Sequence, residues 1–447
     1  MQQSAERVAV IGAGVAGLAA SKALGDRGIP YVCFETSDDV GGTWYFDNPN
    51  GRSAAYRSLH INISRRWAGF RDYPLPDEFP DFAHHSHIHA YLREFADAFD
   101  LRRRIRFGMT VERAERLAEG GWELTLSGGE KAGFDALIVC NGHHWAPMLP
   151  DPPFPGRFDG ISIHSHAYVD PTDPVDFHGM RVLVIGIGNS AADIASELSR
   201  RGLAERVVIS TRSSAWIVPR YLSGRPFDQI ATTKPLLPLA PQRLVGGALV
   251  RLLNGHPSRF GLPRPDHRFL EADPTVSGEL LNRLGCGDLT AKPNVAELRG
   301  GSVAFEDGSE EPFDAIVYAT GYRVLFPFFD EELISAPGNV LPLYKRIFKP
   351  GIDDLAFIGL AEALPSHFLF DEVQAGLVAM WLDGEWALPP QEEMEAEIAA
   401  DDRRFTGHFK PSPRHTFHHL LPVYEREISK RVIPAGRRRA RAARRPG

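Results

Sequence analysis

The stretch "RVAVIGAGVAGLAASKALGDRG", residues 7–28, is answered by "RVLVIGIGNSAADIASELSRRG", residues 181–202, 174 positions later. A second pair recurs at nearly the same offset: "FDALIVCNG" (134–142) and "FDAIVYATG" (313–321) stand 179 positions apart. Two different patterns repeating at one spacing mark a duplicated unit. In each copy a short apolar strand (Val8–Ile11; Val182–Ile185) runs into a glycine turn and an amphipathic helix, and a second strand follows, "YVCFE" or "RVVIS". Later come the hairpin turns "SGG" and "EDG", each feeding the repeated buried strand. Alternation of strand, helix and strand predicts a parallel sheet with right-handed crossovers. The fold class read here is α/β, with two Rossmann-type dinucleotide-binding domains.

In the first turn Gly12 permits the sharp bend, Gly14 lets a pyrophosphate approach the backbone, and Gly17 lets the helix lie close to the sheet. The helix N-terminus offers N–H groups and a positive dipole end to phosphates. Glu35, 23 residues after Gly12, ends the second strand, where a carboxylate accepts from both ribose hydroxyls, as FAD or NAD requires. The second turn has Gly186 and Gly188 with Ala191 in third place, and Ser210, Thr211 and Arg212 replace the acid. A guanidinium at that strand end binds a 2′-phosphate with two hydrogen bonds, so this copy is expected to hold NADPH; the alternative is a solvated arginine. A chain that brings a flavin and a nicotinamide together is set up to pass a hydride between them.

Length and composition fit a soluble protein of two or three domains with full cores. Three scattered cysteines, none in a CxxC, fit a reducing compartment and exclude a dithiol reductase; with no room for a signal peptide before Arg7, a cytoplasmic location is expected. The apolar window 236–253 is broken by prolines and arginines and reads as an amphipathic surface helix, not a membrane span. No nucleic-acid partner is expected. The six arginines of the tail "RRRARAARRPG" read as a solvated, frayed terminus, and without them the net charge of −7 would be −13. In "HHSHIHAYL" (84–92) Ser86 is expected to cap a helix, leaving His85, His87 and His89 without a zinc role. The pairs at His143 and His418 lack partners at useful spacing, so no metal is expected and O2 is left as the electron acceptor.

At this point the chain resembles the flavin-containing monooxygenases, the class B flavoprotein monooxygenase family of N-oxygenating, S-oxygenating and Baeyer–Villiger enzymes. The motif FxGxxxHxxxY stands here as "FDGISIHSHAY" (158–168), directly before the second unit. Further matches are "GGTW" (41–44), "LHINISRRWAGFRDYPLP" (59–76), "GIGNSAADIA" followed by "STRS", "AKPNV" (291–295), "ATGY" (319–322) and "LYKRIFKPGIDDLAFIGLAE" (343–362). They run in order from about residue 5 to about 430. Baeyer–Villiger members usually carry Trp where this chain has Tyr168, and the chain lacks the apolar C-terminal anchor of the animal relatives, so a soluble bacterial-type, heteroatom-oxygenating member is implied.

The resemblance implies that NADPH reduces FAD, that O2 adds to the reduced flavin to give a hydroperoxide, and that one oxygen atom passes to a small amine or thioether. Such chemistry needs chiefly a dry, preorganised pocket. Alternatives are Baeyer–Villiger oxygenation of ketones, or a flavin-binding redox sensor or scaffold with slow NADPH oxidation; a homodimer is left open. Asn62 is implied as the catalytic residue beside flavin and nicotinamide, against a plain turn cap. Trp44 is implied to pack on the flavin, and Gln374 to begin a helix facing the flavin pyrimidine. The resemblance also assigns Ala13, Val15, Gly42, Thr43, Asn62, Ile63 and Val111 to FAD, and Ile61, Asn62, Asn189, Ser190 and Asp193 to NADP. His164 and Tyr168 are read as holding a linker. The domains expected are an FAD part over 1–172, an NADPH domain over 173–321 with a helical insertion at about 215–288, and a second FAD part with the basic tail over 322–447.

Overall fold

The computed structural model describes residues 8–231, 239–406 and 418–444. In chain order its principal elements are β1 (Val8–Ile11), α1 (Val15–Asp26), β2 (Tyr31–Phe34), α2 (His85–Ala98), β3 (Ile105–Arg106), β4 (Ala136–Val139), β5 (Ile161–His164), β6 (Arg181–Ile185), α3 (Asn189–Leu198), β7 (Arg206–Ser210), α4 (Leu239–Asn254), β8 (Thr290–Lys292), β9 (Ala315–Tyr318), β10 (Leu355–Phe357), α5 (His367–Leu382) and α6 (Ile433–Ala443). The chain divides into two compact units, one of residues 1–53, 65–146 and 323–447, the other of 54–64 and 147–322.

The first unit is built on an all-parallel sheet in the order β10-β4-β1-β2-β3. Every residue of β1, β2, β4 and β10 is buried, as apolar runs covered on both faces require. An antiparallel sheet of Val111–Arg116, Trp122–Leu126 and Lys131–Phe134 leads into β4, with "SGG" at one turn. The second unit repeats the scheme as β5-β9-β6-β7-β8, again all parallel, with its own antiparallel strands turning at "EDG" before β9. The repeated strands β4 and β9 therefore hold equivalent places, each beside the strand that leads into its unit's glycine turn.

The fifth strand differs between the units. β10 comes from the last quarter of the chain, whereas β5 precedes β6. Because β5 pairs with β9 from Ile161↔Ala315 to His164↔Tyr318, the second unit begins at Pro147, and the boundary expected at 172 falls inside it. Residues 54–64 join it too, although they were counted with the first part.

Two local expectations need correction, those for the α2 cap and the arginine tail, while the expected surface helix is present. The cap of α2 is His84, whose Nδ1 accepts from Ser86 N–H at 3.3 Å; Ser86 lies within the helix. The window 236–253 forms α4 from Leu239, with Leu244, Val245 and Leu252 exposed; residues 236–238 lie outside the described residues. As far as Ala443 the arginine tail is a helix, not a frayed end: in α6 Arg437 pairs with Glu385 and Arg439 with Glu393, while Arg444 just beyond it donates to the Gly384 carbonyl at 2.7 Å; residues 445–447 lie outside the described residues. Gly436 is what lets it dock, since a Cβ there would stand 1.9 Å from Trp386 Nε1.

The first unit also encloses Lys345, its side chain 2 % exposed, between Asp401 (2.8 Å), Glu427 (2.8 Å) and Glu397 (2.9 Å). Burial works against the ammonium, but the carboxylates outweigh it and hold the lysine charged above its ordinary pKa. Removing one partner of a buried ion pair leaves uncompensated charge. Lys345→Met is expected to cost about 3 to 5 kcal/mol, read as a lower urea midpoint than that of a surface control such as Lys131→Met.

Candidate functional site

In the first unit the glycine turn is fixed by contacts that tolerate no side chain. Gly12 has φ +100°, and a Cβ on it would lie 2.6 Å from the Cys140 carbonyl oxygen; one on Gly17 would lie 1.8 Å from the Gly12 oxygen. Gly14 ends the turn as the residue before α1, and no side chain caps that helix. The short turn Gly42–Trp44 packs over it: Gly41 N–H donates to the Ala13 carbonyl at 3.0 Å, and a Cβ on Gly42 would be 3.1 Å from Gly14 Cα. His89 supports this turn, stacking on Tyr45 at 4.6 Å with Nε2 2.9 Å from the Val40 carbonyl. Thr43 accepts at its carbonyl from the Ser53 hydroxyl at 2.9 Å, and Trp44 is half-buried, pairing with no aromatic ring among the described residues.

Glu35 is buried at the end of β2, with Oε2 accepting from Ala13 N–H at 2.6 Å and Oε1 from Ser37 N–H at 2.8 Å. Burial pushes its carboxyl up, and these donors pull it back. It braces the glycine turn, and two of about four lone-pair positions remain for ribose hydroxyls. Bare backbone above an uncapped helix start, flanked by a carboxylate, fits a dinucleotide of the FAD type.

The second unit repeats this plan with other chemistry. A Cβ on Gly186, φ +136°, would meet the Ala319 carbonyl oxygen at 2.3 Å, and Gly188 precedes an α3 that again lacks a side-chain cap. Ala191 is buried in the third place, and Ser190 lies in the first turn of α3. Arg212 follows β7 by two residues, exposed and with no ion pair among the described residues, as a reader of a 2′-phosphate should be. Asn189 is already engaged: its Oδ1 accepts from Val276 N–H at 2.9 Å, tying the helical insertion to the turn.

Asp193 has a partner within its own unit. Its Oδ2 accepts from the Tyr56 hydroxyl at 2.6 Å, and burial pushes its carboxyl up to about 6. Glu197, one turn on, accepts from the Ser58 hydroxyl at 3.0 Å and from the Tyr168 hydroxyl at 2.8 Å. These bonds clamp residues 54–64 onto α3. Ile61 is buried there, Ile63 partly so, and Asn62 is exposed, with no side-chain hydrogen bond among the described residues. Asn62 is thus no turn cap.

One further placement overturns an expectation. Gln374 does not begin a helix: α5 starts at His367, capped by the Ser366 hydroxyl, and Gln374 lies buried two turns in. Its Oε1 accepts from Gly359 N–H at 2.9 Å and its Nε2 donates to the Arg346 carbonyl at 3.2 Å, so its amide braces the core. The side chain of Val111 packs in the core with Ala9, Ile11, Val32 and Phe34. The histidine pairs do have partners. His419 Nε2 accepts from Arg346 Nε at 3.0 Å, and His143 and His144 meet Glu362 across more than 200 residues. Asp371 was missed altogether. It is buried on α5 near Gly359, which itself abuts Ala16 in the first turn of α1, and burial pushes its carboxyl up to about 7.

A flavin-binding monooxygenase-like family model matches residues 5–433. The rat dimethylaniline monooxygenase [N-oxide-forming] 2 is 39 % identical over 414 residues, 88 % of this chain and 76 % of the relative. Rabbit flavin-containing monooxygenase 5 is 39 % identical over 431 residues, 92 % of this chain and 80 % of the relative. Among solved structures, the S-allyl-L-cysteine S-oxygenase of Allium sativum superposes with a TM-score of 0.71 at 25 % identity, covering 99 % of this chain and 94 % of that one. A steroid monooxygenase bound to NADP shares the fold, with a TM-score of 0.72 at 20 % identity over 97 % and 98 % of the two chains. No helix among the described residues is long and apolar enough to cross a membrane.

Asp371 gives a pH-dependent prediction. An unfolded Asp loses its proton near about 4, whereas the folded protein keeps it to about 7. Between these values the folded state binds the extra proton, so stability falls as pH rises and levels off above pH 7. Asp371→Asn is expected to remove this slope, gaining on the parent by up to roughly 4 kcal/mol between pH 4 and 7. Urea midpoints of both proteins across that range check it; parallel curves would refute it.

Proposed function

We propose, for a chain that belongs to the flavin-binding monooxygenase-like family and is an FAD- and NADPH-dependent monooxygenase, that its substrate is a small, soft nitrogen or sulfur nucleophile, an amine or a thioether. The observation that carries this reading is the 39 % identity, over 88 % of the chain, to a relative named for N-oxide formation. Its structural likeness to an S-oxygenase supports the sulfur arm. Tyr168, where Baeyer–Villiger members usually carry Trp, is here a buried clamp on Glu197.

In this reading the first unit holds FAD. Gly12, Gly14 and Gly17 bring bare backbone to its pyrophosphate, α1 directs its N-terminal dipole there, and Glu35 accepts from the ribose while bracing the turn. Ala13, Val15, Gly42, Thr43 and Trp44 line the remainder. The second unit holds NADPH on Gly186, Gly188, Ser190 and Ala191, with Arg212 on the 2′-phosphate. Asp193 and Asn189 act through Tyr56 and Val276, positioning the segment and the insertion instead of touching the nucleotide. When bound, the flavin takes a hydride from NADPH and then activates O2 for transfer of one oxygen atom. Asn62 contributes an amide that donates and accepts at once, on a segment fixed by two hydroxyl–carboxylate bonds. We also propose a cytoplasmic location, from the three unpaired cysteines.

The reading is tested by supplying thioethers, tertiary amines and cyclic ketones and comparing oxygenated product with NADPH consumed. Matched yields with amines or thioethers and little lactone from ketones are expected; NADPH use that no substrate raises would reject it. Arg212→Ala should lower kcat/KM for NADPH about 10- to 100-fold and leave NADH nearly unchanged, and equal losses would assign Arg212 to the fold. Asn62→Ala should keep FAD bound and flavin reduction intact while product per NADPH falls and H2O2 rises. Unchanged coupling would remove Asn62 from the chemistry.

A further inference from the structure

The loop after β4 and the chain after β10 bring together four side chains whose spacing in sequence hides them. His143 is buried, and both of its ring nitrogens face acceptors: Nδ1 is 3.1 Å from the Gly359 carbonyl oxygen and Nε2 is 3.2 Å from Glu362 Oε1. A neutral imidazole has one N–H. With that proton on Nδ1, given to the carbonyl, Nε2 turns a lone pair toward a carboxylate, and two electron-pair donors at this distance require a positive centre between them. The same Oε1 stands 2.9 Å from His144 Nε2, and Glu362 Oε2 stands 3.2 Å from His367 Nε2. One carboxylate thus meets three imidazoles. Ligand atoms of His143, His144 and Glu362 all lie within 4.8 Å of one another, and donors around a tetrahedral zinc with bonds of about 2.1 Å stand about 3.4 Å apart.

We propose that His143, His144 and Glu362 form a binding site for one divalent cation of the zinc class, with His367 holding the other oxygen of the Glu362 carboxylate. Imidazole and carboxylate donors together favour zinc and its borderline neighbours over magnesium or calcium. The Gly359 carbonyl is the outer partner that fixes the tautomer of His143 and aims its Nε2, as metal-bound histidines require. The site also has an entry path, because the side chains of His144 and His367 are 44 % and 38 % exposed while His143 closes the inner side. All four residues belong to the first unit, and a cation there would cross-link the chain segments that leave β4 and enter α5. The proposal stands independently of which substrate is oxygenated.

The test uses the full, FAD-bound chain, stripped with a chelator, dialysed and titrated with Zn2+ against a chromogenic competitor, with bound metal counted by mass spectrometry. One Zn2+ per chain is expected, with a thermal midpoint that rises on its addition. Glu362→Gln and His144→Ala should each weaken binding roughly 100-fold and abolish the thermal shift, while retained flavin reports that the variants fold. His178→Ala, at an exposed histidine remote in sequence, should bind like the parent. Parent binding no tighter than that of Glu362→Gln and His144→Ala would mean scattered surface histidines hold the metal. No binding at all would mean that a proton, and an imidazolium at His143, fills the place instead. Either result overturns the proposal.

Discussion

A carbonyl oxygen pressed against a glycine sets the plan of both units. The Cys140 oxygen lies 2.6 Å from where Gly12 would carry a Cβ, and the Ala319 oxygen 2.3 Å from the same place on Gly186. Each carbonyl belongs to the residue immediately after a repeated strand, β4 or β9. The glycine turn and the closing strand are therefore two sides of one contact, and neither can vary alone. This is the physical reason that two motifs more than 100 residues apart recur together, and it leaves the helix start beyond each glycine free of side chains.

Above that shared contact the units diverge through single residues. Glu35 turns one oxygen on the backbone of its own glycine turn at Ala13 and the other on Ser37, so in the first unit the acid completes the cradle. In the second, Ser210 is buried and gives its hydroxyl to the Pro293 carbonyl at 2.6 Å, so bracing falls to a neutral group and Arg212 stands clear. The duplicated fold was thus able to serve two nucleotides without altering its sheet.

Much of this was legible because it is local. Glycine turns, the apolar runs of β1, β4, β6 and β9, and the "SGG" and "EDG" hairpins are written in consecutive residues, where periodicity and turn chemistry act directly. What stayed hidden depended on partners distant in the chain. Nothing near "ISIH" says that β5 completes a sheet with β9, and "GHHW" carries no sign of Glu362 or His367. Tyr56 and Ser58 look like ordinary loop residues until α3 supplies Asp193 and Glu197. The arginine-rich end was misread for the same cause, since Glu385, Glu393 and Trp386 convert a charge run into a docked helix. Gln374 failed for a different reason: the cap that starts its helix is Ser366, eight residues earlier.

The unequal origin of the fifth strand also sets a timetable. Synthesis runs from the N-terminus, and the sheet of the second unit has all five strands once Tyr318 is made, whereas that of the first waits for Leu355–Phe357. The unit whose strands begin the chain is thus the last to close. Four strands of the first unit must persist, or wait unpaired on one edge, while an entire inserted domain is translated and released from the ribosome. In the growing polypeptide, the interruption matures before the sentence it interrupts.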